Sequence, residues 1–186
     1  MSDYRALKRM KAIIVILVLL FLGAFFQVEA STENDQLELI DFSSYFGGSG
    51  DESMGASYAF GDTVDDSMGN IILVGATYSE DFPIKNAYQD HLNGNRDSII
   101  AKFHPNGSLI FSTYFGGSAQ ELITGVDVDS EDNIIIAGIT GSPDYPLVNP
   151  LQSTFTGGNE GNADCFITKF SQDGQSLLFS TFFGGT

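Results

Sequence analysis

The stretch FSTYFGGS, Phe111–Ser118, decides the fold, because the chain writes nearly the same eight residues three times. FSSYFGGS stands earlier, at Phe42–Ser49, and FSTFFGGT stands later, at Phe179–Thr186. The Gly-Gly pairs within these phrases recur at intervals of 69 and 68 residues. A fixed interval of this length is the sequence signature of a repeat architecture.

Other segments recur between these phrases in the same order. GNIILVGAT is answered by DNIIIAGIT, DFPIKNAYQ by DYPLVNPLQ, and DSIIAKF by DCFITKF. The first copy carries six extra residues around SYAFGDT, and the second carries four near GGNEGNA. We place both length differences in connections between secondary-structure elements, where insertions are tolerated.

Each unit is predicted to contain four strands. The second copy shows them as short runs rich in β-branched and aromatic residues, bounded by Asp, Asn and Gly: Leu122–Val128, Ile134–Thr140, Cys165–Phe170 and Ser176–Phe183. Helix is not expected beyond residue 30, because no apolar helical period persists there. The body of the chain is therefore predicted to be all-β.

The face pattern of the strands predicts how the units stack. IILVGAT and IIIAGIT are apolar at nearly every position, which predicts burial on both faces. Gly75 and Gly138 occupy one mid-strand repeat position, where a missing side chain permits close approach of another backbone. Four-stranded units of about 65–70 residues packed face to face describe β-propeller blades, here about 47–115 and 116–183 within residues 39–186.

The repeated phrase is predicted to be the last strand of one blade and the hinge into the next. Its aromatic residues would fill the space between adjacent blades. Each Gly pair would let the chain turn sharply, since glycine has unrestricted φ.

The ordered set of five matching segments resembles the SBBP-type β-propeller repeat family, from about Phe42 to Thr186. The resemblance implies an exported array of blades and neither one reaction nor one ligand. The six-residue insertion and the segment AQELI depart from the family pattern and put loop geometry in doubt.

Two units are too few for a closed propeller, which needs about four to eight blades. Open sheet faces invite aggregation. We therefore expect further blades, either because this is the front part of a longer propeller or because the chain completes a ring with other copies.

Residues 1–30 are predicted to be a signal peptide or an N-terminal membrane anchor. A basic start is followed by an apolar run, Ala12–Phe26, and then by small residues at the −3 and −1 positions. We place cleavage between Ala30 and Ser31, and a flexible lead-in at residues 31–38. The body is then secreted or lies on the extracellular face of the cell envelope.

Charge limits the partners. The formal net charge is −16, and an acidic surface repels nucleic acid and anionic lipid while favouring basic partners or divalent cations. We expect a protein or glycan partner at the cell surface, no nucleic acid, and membrane contact only through an uncleaved N-terminal segment.

No catalytic motif is found, so we assign no catalytic, cofactor or metal residue. His91 and His104 are expected to be exposed loop residues. The single cysteine, Cys165, is interpreted as a small buried strand residue rather than a reactive thiol. One alternative is left open for metal binding: the carboxylates Asp127, Asp129, Glu131 and Asp132 resemble the start of a calcium loop. The sixth place holds Asp132 instead of Gly and the twelfth holds Gly138 instead of an acid, so a hairpin turn is the favoured interpretation.

The resulting functional hypothesis is an exported, non-catalytic propeller that serves as a binding or adhesion scaffold. Two alternatives are kept. One is a propeller lyase or hydrolase whose central channel is completed by other blades, and the other is a structural component of the envelope.

Overall fold

The computed structural model describes residues 43–53, 61–157 and 163–185, all within the unit Ile40–Thr186. The predicted N-terminal signal helix and its cleavage site, Ala30 and Ser31, lie outside the described residues. The regular elements of the described ranges are nine strands: β1 Glu52–Ser53, β2 Asp62–Asp65, β3 Ile71–Thr77, β4 Asp97–Phe103, β5 Leu109–Phe115, β6 Glu121–Val128, β7 Ile134–Thr140, β8 Asp164–Phe170 and β9 Leu177–Phe183.

The strands form two antiparallel sheets of the same construction. The second sheet has the order β6-β7-β8-β9, and the first has β3-β4-β5 with β1 and β2 both pairing with β3. Equivalent residues pair in the same register in the two sheets. In each sheet the register between the last two strands shifts after a lysine, which is Lys102 in β4 and Lys169 in β8. The prediction of two four-stranded repeat units, consistent with propeller blades, is confirmed. We call them blade 1 (β1–β5) and blade 2 (β6–β9).

The six-residue insertion of the first copy falls between β1 and β2, and most of that stretch lies outside the described residues. In blade 2, Thr124 forms a bulge in β6 between the pairs Ile123–Gly138 and Gly125–Ala137. In blade 1 the corresponding strand is divided into β1 and β2, with residues 54–61 between them. A bulge already leaves one residue outside the ladder, so extra residues can be added there without shifting the register on either side.

The mid-strand glycine prediction is confirmed at Gly138. A Cβ atom on this residue would lie 2.8 Å from Cζ of Phe166 and 2.9 Å from Cα of Ile123. The neighbouring strand and the aromatic ring of β8 therefore occupy the space that any side chain would need.

The two blades share one core, which confirms that the repeated aromatic residues fill the space between blades. From blade 1 it includes Ile72, Val74, Ile100, Phe111 and Phe115, and from blade 2 Ile123, Ile134, Ile136, Phe166, Phe170 and Phe182. The ring of Phe111 packs against Gly174, where an added Cβ would lie 2.5 Å from two ring carbons. We name the blade 1 surface that carries Phe111 the knob face, and the blade 2 surface around Gly174 the socket face.

Burial on both faces, predicted for the strands of both copies, is wrong for blade 2. In β7 buried and less buried residues alternate, and Ile139 is 40% exposed. Cys165 in β8 is exposed, so the prediction of a buried strand residue is wrong. Both residues lie on the face of blade 2 that corresponds to the knob face of blade 1, and no described residue covers that face.

Long loops protect the outer edge of each blade. The loop of residues 78–96 runs beside β5, with reciprocal backbone hydrogen bonds between Lys85 and Ser112 and a further bond from Tyr114 to Gln89. In blade 2, Val148 pairs with Ser180 in the same way. Since an unpaired strand edge invites association, these loops act as short edge covers.

Residues 43–46 lie against the blade 1 surface that corresponds in register to the socket face of blade 2, and we call it the socket face of blade 1. Phe46 makes edge-to-face contacts with Phe82 and Phe103, with ring centroids 4.9 and 5.1 Å apart. Phe115 contacts Phe170 in the same manner, at 4.8 Å. Phe46 of the first phrase therefore packs on blade 1 in the same way as Phe115 of the second phrase packs on blade 2.

Candidate functional site

The Gly-Gly hinge before each blade is held by hydrogen bonds to one glutamate carboxylate, and we call this arrangement the carboxylate lock. In blade 2 the carboxylate of Glu121 accepts hydrogen bonds from Thr140 Oγ1 at 2.7 Å, Ser142 Oγ at 2.5 Å and the Gly117 amide at 3.1 Å. Glu121 is buried, and burial raises its pKa, although these hydrogen bonds partly offset the effect. The lock joins the hinge to the start of β6 and the end of β7.

Blade 1 repeats the lock with Glu52. Its carboxylate accepts hydrogen bonds from Thr77 Oγ1 at 3.0 Å, the Gly48 amide at 3.0 Å and the Ser79 hydroxyl. The same three kinds of donor therefore meet the same acceptor one repeat earlier. This lock explains why the glutamate stands four residues after the second glycine in both copies.

The reason for the Gly-Gly pairs is lack of space, which corrects the prediction that φ decides. Among the described glycines, positive φ occurs at Gly69, Gly107 and Gly174 but not in the Gly-Gly pairs. At Gly117 an added Cβ would lie 2.6 Å from Asp144 Oδ1, and at Gly48 it would lie 2.5 Å from Asp81 Oδ1. The Cβ atoms of Ser142 and Ser79 would be equally near, at 2.6 and 2.5 Å, so a side chain at either glycine would have to displace its neighbours.

A second carboxylate holds the residue that follows each Gly pair. Asp81 accepts from the amide and the hydroxyl of Ser49 at 2.7 and 3.0 Å. Asp144 accepts from the amide and the hydroxyl of Ser118, both at 2.9 Å. These backbone amide bonds lower the pKa of both aspartates, so both are anionic at neutral pH.

The opposite end of the blades, where the hairpin turns lie, carries one ion pair per blade. Lys102 Nζ lies 3.0 Å from Asp66 Oδ2 with both side chains buried, and Lys169 Nζ lies 2.5 Å from Asp129 Oδ2. Burial opposes ionisation of Asp66, but hydrogen bonds from Asn70 and Lys102 outweigh it and lower its pKa to about 2. The hydrogen bond from Lys169 lowers the pKa of Asp129.

The carboxylates considered for calcium do not converge on one point. Asp129 caps the amides of Glu131 and Asn133 and pairs with Lys169. Asp132 turns away and accepts from the amide and hydroxyl of Ser67 in blade 1. Over the described ranges no group of three or more His, Cys, Asp or Glu side chains could hold a metal ion. Calcium binding by this turn stays a prediction.

The two histidines are exposed, as expected. His91 Nδ1 lies 2.7 Å from Asp90 Oδ1, and this hydrogen bond raises the histidine pKa. His104 Nδ1 lies 3.2 Å from Asn70 Oδ1. The two are therefore in separate polar pairs, one in a long loop and one at a hairpin.

An exposed aromatic residue lies at the end of the blades where the long loops emerge. Tyr78 is 45% exposed, and the guanidinium carbon of Arg96 lies 5.4 Å from the centroid of its ring. The Tyr78 amide donates to the carbonyl of Asp51 at 3.0 Å. Three residues with exposed carboxylates lie beside Tyr78: Glu80 and Asp81 follow it closely in the chain, and Asp51 accepts its backbone hydrogen bond. We call these three residues the acidic rim.

This end of the blades can bind another molecule but shows no catalytic arrangement in the part of the chain that the structure describes. A stacked tyrosine and arginine are residue types enriched in protein interfaces. An exposed anionic rim attracts positive charge. Neither Tyr78 nor the glutamates of the locks were predicted from the sequence as candidate site residues. The shared spacing of Glu52 and Glu121 after their Gly pairs was the available signal for the locks.

Comparison with known proteins gives a weak link to propeller repeats. No family model matches the chain, so the resemblance to the SBBP-type family is not shown. An uncharacterised WD repeat-containing protein of Acanthamoeba polyphaga mimivirus is 28% identical over 87 residues, which are 46% of this chain. The match spans 6% of that protein's length.

The two antiparallel sheets of the described residues, together with this similarity, are consistent with a β-propeller-like repeat fold. In the described part of the chain there is no helix with the length and apolar character needed to cross a membrane.

Proposed function

We propose that this chain is part of an exported, non-catalytic β-propeller scaffold of the SBBP type that binds a basic protein surface at the cell surface. The observation that carries the proposal is the Tyr78–Arg96 stack beside the acidic rim, on a pair of blades whose repeated polar residues are engaged in internal locks. The similarity to a WD repeat-containing protein supports a scaffold role.

The long loop that ends before β4 is held in place by hydrogen bonds, and this rigidity favours binding of a partner over a catalytic role. Asp97, which is buried, accepts hydrogen bonds from Gln89 Nε2 and from the amides of Asn93 and Gly94, at 2.7 to 3.0 Å. These bonds fix the end of the long loop immediately before β4. A loop held in this way keeps Arg96 over Tyr78 before a partner arrives, which lowers the entropy cost of binding.

The binding test uses lysine- and arginine-rich peptides as probes, with matched neutral peptides for comparison. Tyr78→Ala is expected to weaken binding of the basic peptides about tenfold, which is the scale of a truncated interface aromatic. Met68→Ala is the matched control, because Met68 is also exposed, at 73%, but lies in a hairpin turn at the other end. Binding should also weaken as salt screens the acidic rim.

Binding that is equal for neutral and basic peptides, or that Tyr78→Ala and Met68→Ala change equally, would contradict the proposal. Salt-insensitive retention on a neutral glycan array would favour a glycan partner instead.

Export is tested on the protein itself. Sequencing the N-terminus of the protein recovered outside the cytoplasm should give Ser31 as the first residue. Recovery of the intact N-terminus in a membrane fraction would show an anchor, and recovery only in the cytosol would overturn export.

A further inference from the structure

Asn106, Gly107 and Ser108 form an Asn-X-Ser tripeptide, which is an acceptor sequence for N-linked glycosylation. It is the only Asn-X-Ser or Asn-X-Thr tripeptide in the chain. The tripeptide lies in the hairpin turn between β4 and β5, at the end of the blades that carries the ion pairs. In an exported protein such a tripeptide is a site where it lies on the surface, so the geometry of this turn is decisive.

The β4–β5 turn presents Asn106 to solvent. The His104 amide donates to the Ser108 carbonyl and the Gly107 amide donates to the His104 carbonyl, both at 2.9 Å. Gly107 has a φ of 81°, in the left-handed region that favours glycine. Asn106 and Ser108 are both exposed. The backbone is therefore fixed by its own bonds, while the two reactive side chains of the tripeptide face water.

The carboxamide of Asn106 uses only its oxygen to close the turn. Oδ1 accepts from the Ser108 amide at 3.0 Å and from Ser108 Oγ at 2.8 Å. Because a backbone amide can only donate, the oxygen must face Ser108 and the Nδ2 group must point away. None of the hydrogen bonds of Asn106 in the described part of the chain uses Nδ2. The atom that would carry a glycan is thus the one that the turn leaves available.

The other hairpin turns of the described blades close in the same way with an aspartate. Asp66, Asp129 and Asp173 each accept, through Oδ1, the amide of the residue two positions later, at 2.9 to 3.1 Å. Of these four equivalent turns, only the β4–β5 turn has an asparagine. The turn therefore requires a carboxyl or carboxamide oxygen and does not require an Nδ2 group.

The turns do not require the hydroxyl of Ser108 either. The residues that donate the equivalent amide in the other three turns are Met68, Glu131 and Gln175, and none of them has a hydroxyl. The Nδ2 group of Asn106 and the hydroxyl of Ser108 make the tripeptide an acceptor sequence. These are the two groups that closure of the hairpin does not explain.

Exposure of Asn106 does not depend on what lies against the neighbouring face of blade 1. Asp173 takes the equivalent position in the β8–β9 turn of blade 2, where Phe111 of blade 1 packs against Gly174. Asp173 is exposed although Gly174 is buried. Packing beside Gly107 would in the same way leave Asn106 accessible.

We propose that Asn106 is a site of N-linked glycosylation, an inference that rests on the proposed export of the chain. The co-substrate is an oligosaccharide linked to a lipid pyrophosphate. Nδ2 of Asn106 forms a bond to the anomeric carbon of the first sugar, while the bond from that carbon to the pyrophosphate oxygen breaks. The lipid pyrophosphate leaves with the bonding electrons, and Nδ2 gives up one proton to a base of the transferring enzyme.

The glycan is attached far from the end of the blades proposed to bind a partner. Strand β4 has 7 residues and is roughly 20 Å long at the usual rise per residue. Arg96 immediately precedes this strand and Asn106 follows it. A glycan on Asn106 therefore adds bulky hydrophilic cover at the hairpin end and leaves the Tyr78–Arg96 stack open.

The test is peptide mass spectrometry on the full chain recovered from its natural host. Fragmentation of the peptide that contains Asn106 should place an added sugar mass on this residue. A change of Asn106 to aspartate without sugar would show deamidation instead and would contradict the proposal. Deamidation requires attack by the Gly107 amide, which is bonded to the His104 carbonyl in this turn.

Asn106→Asp is the most informative variant, because Asp173 shows that the turn closes equally well with an aspartate. The variant should lose the sugar completely and keep the circular dichroism of a β-sheet protein. Ser108→Ala should also abolish the sugar, whereas Ser108→Thr should retain it, since threonine serves equally as the third residue of the acceptor sequence. A purely structural role of Ser108 would give no sugar to lose.

N-terminal sequencing of the same sample separates the two ways of failing. Protein that is recovered outside the cytoplasm or in the membrane fraction, but carries an unmodified Asn106, would overturn this inference and leave export standing. Sugar that persists in Asn106→Asp or in Ser108→Ala would also overturn it. Recovery only from the cytosol would overturn export and this inference with it.

Discussion

Glu121 shows how one residue connects sequence, fold and energetics in this protein. It is a buried acid with no basic partner among the contacts described above, and its carboxylate is held by two hydroxyls and one amide. Because three donors depend on it, its removal leaves several buried polar groups without an acceptor. Such losses cost more than the net gain of a hydrogen bond.

Glu121→Ala is therefore expected to lower the free energy of unfolding by about 2–3 kcal/mol. Chemical denaturation measures the change. Glu80→Ala is the control, since Glu80 is exposed and exposed substitutions stay within about 0.5 kcal/mol. Equal effects of the two substitutions would show that the lock does not stabilise the hinge.

Asp66 gives a pH prediction whose sign follows from its lowered pKa of about 2. A carboxylate with a folded pKa below its ordinary value of 3.8 adds stability above that value, and the added stability is lost as pH falls toward 2. The melting temperature of the natural protein should exceed that of Asp66→Asn at neutral pH. The difference should shrink below about pH 4, and thermal melts from pH 7 to pH 2 would measure it. A difference that persists unchanged at pH 2 would refute the assignment.

At the scale of elements, repetition in the sequence was enough to predict the strands. β7 is Ile134–Thr140 as expected, and β8 and β9 differ from prediction by one residue at their first positions. The division of the first strand into β1 and β2 was not predictable, because a length difference between repeats does not say whether it falls in a loop or at a bulge. Exposure of one face of blade 2 was also missed, since the residue pattern records the need for burial and not whether a neighbour is present.

The contact between blades can be tested at Gly174 with a control that shares its backbone conformation. Gly174 has φ of 71° and touches Phe111, whereas Gly69 has φ of 77° and its nearest atom to an added Cβ is Pro105 Cγ at 3.9 Å. Gly69→Ala should cost about 1 kcal/mol through backbone strain alone. Gly174→Ala should cost at least about 1 kcal/mol more, because it also displaces the Phe111 ring. If Gly174→Ala and Gly69→Ala shift the denaturation midpoint equally, the Phe111 ring does not contact Gly174.

At the scale of the whole molecule, the sequence predicted the architecture better than the site. The locks at Glu52 and Glu121 were missed because the shared spacing of these glutamates after their Gly pairs does not show which donors they bind until the fold brings the partners together. The Gly pairs were noticed, but their cause lies in carboxylates that reach them from residues up to 33 positions away. Tyr78 was missed because an aromatic residue after a buried strand is usually part of the core.

The central claim is that two equivalent blades pack knob face on socket face. Nuclear Overhauser contacts between the ring protons of Phe111 and the α-protons of Gly174, and between the rings of Phe115 and Phe170, test it most directly. The structure places the Phe115 and Phe170 ring centroids 4.8 Å apart, so strong cross-peaks are expected for both pairs. A well-dispersed spectrum of the folded monomer without these cross-peaks would contradict the account.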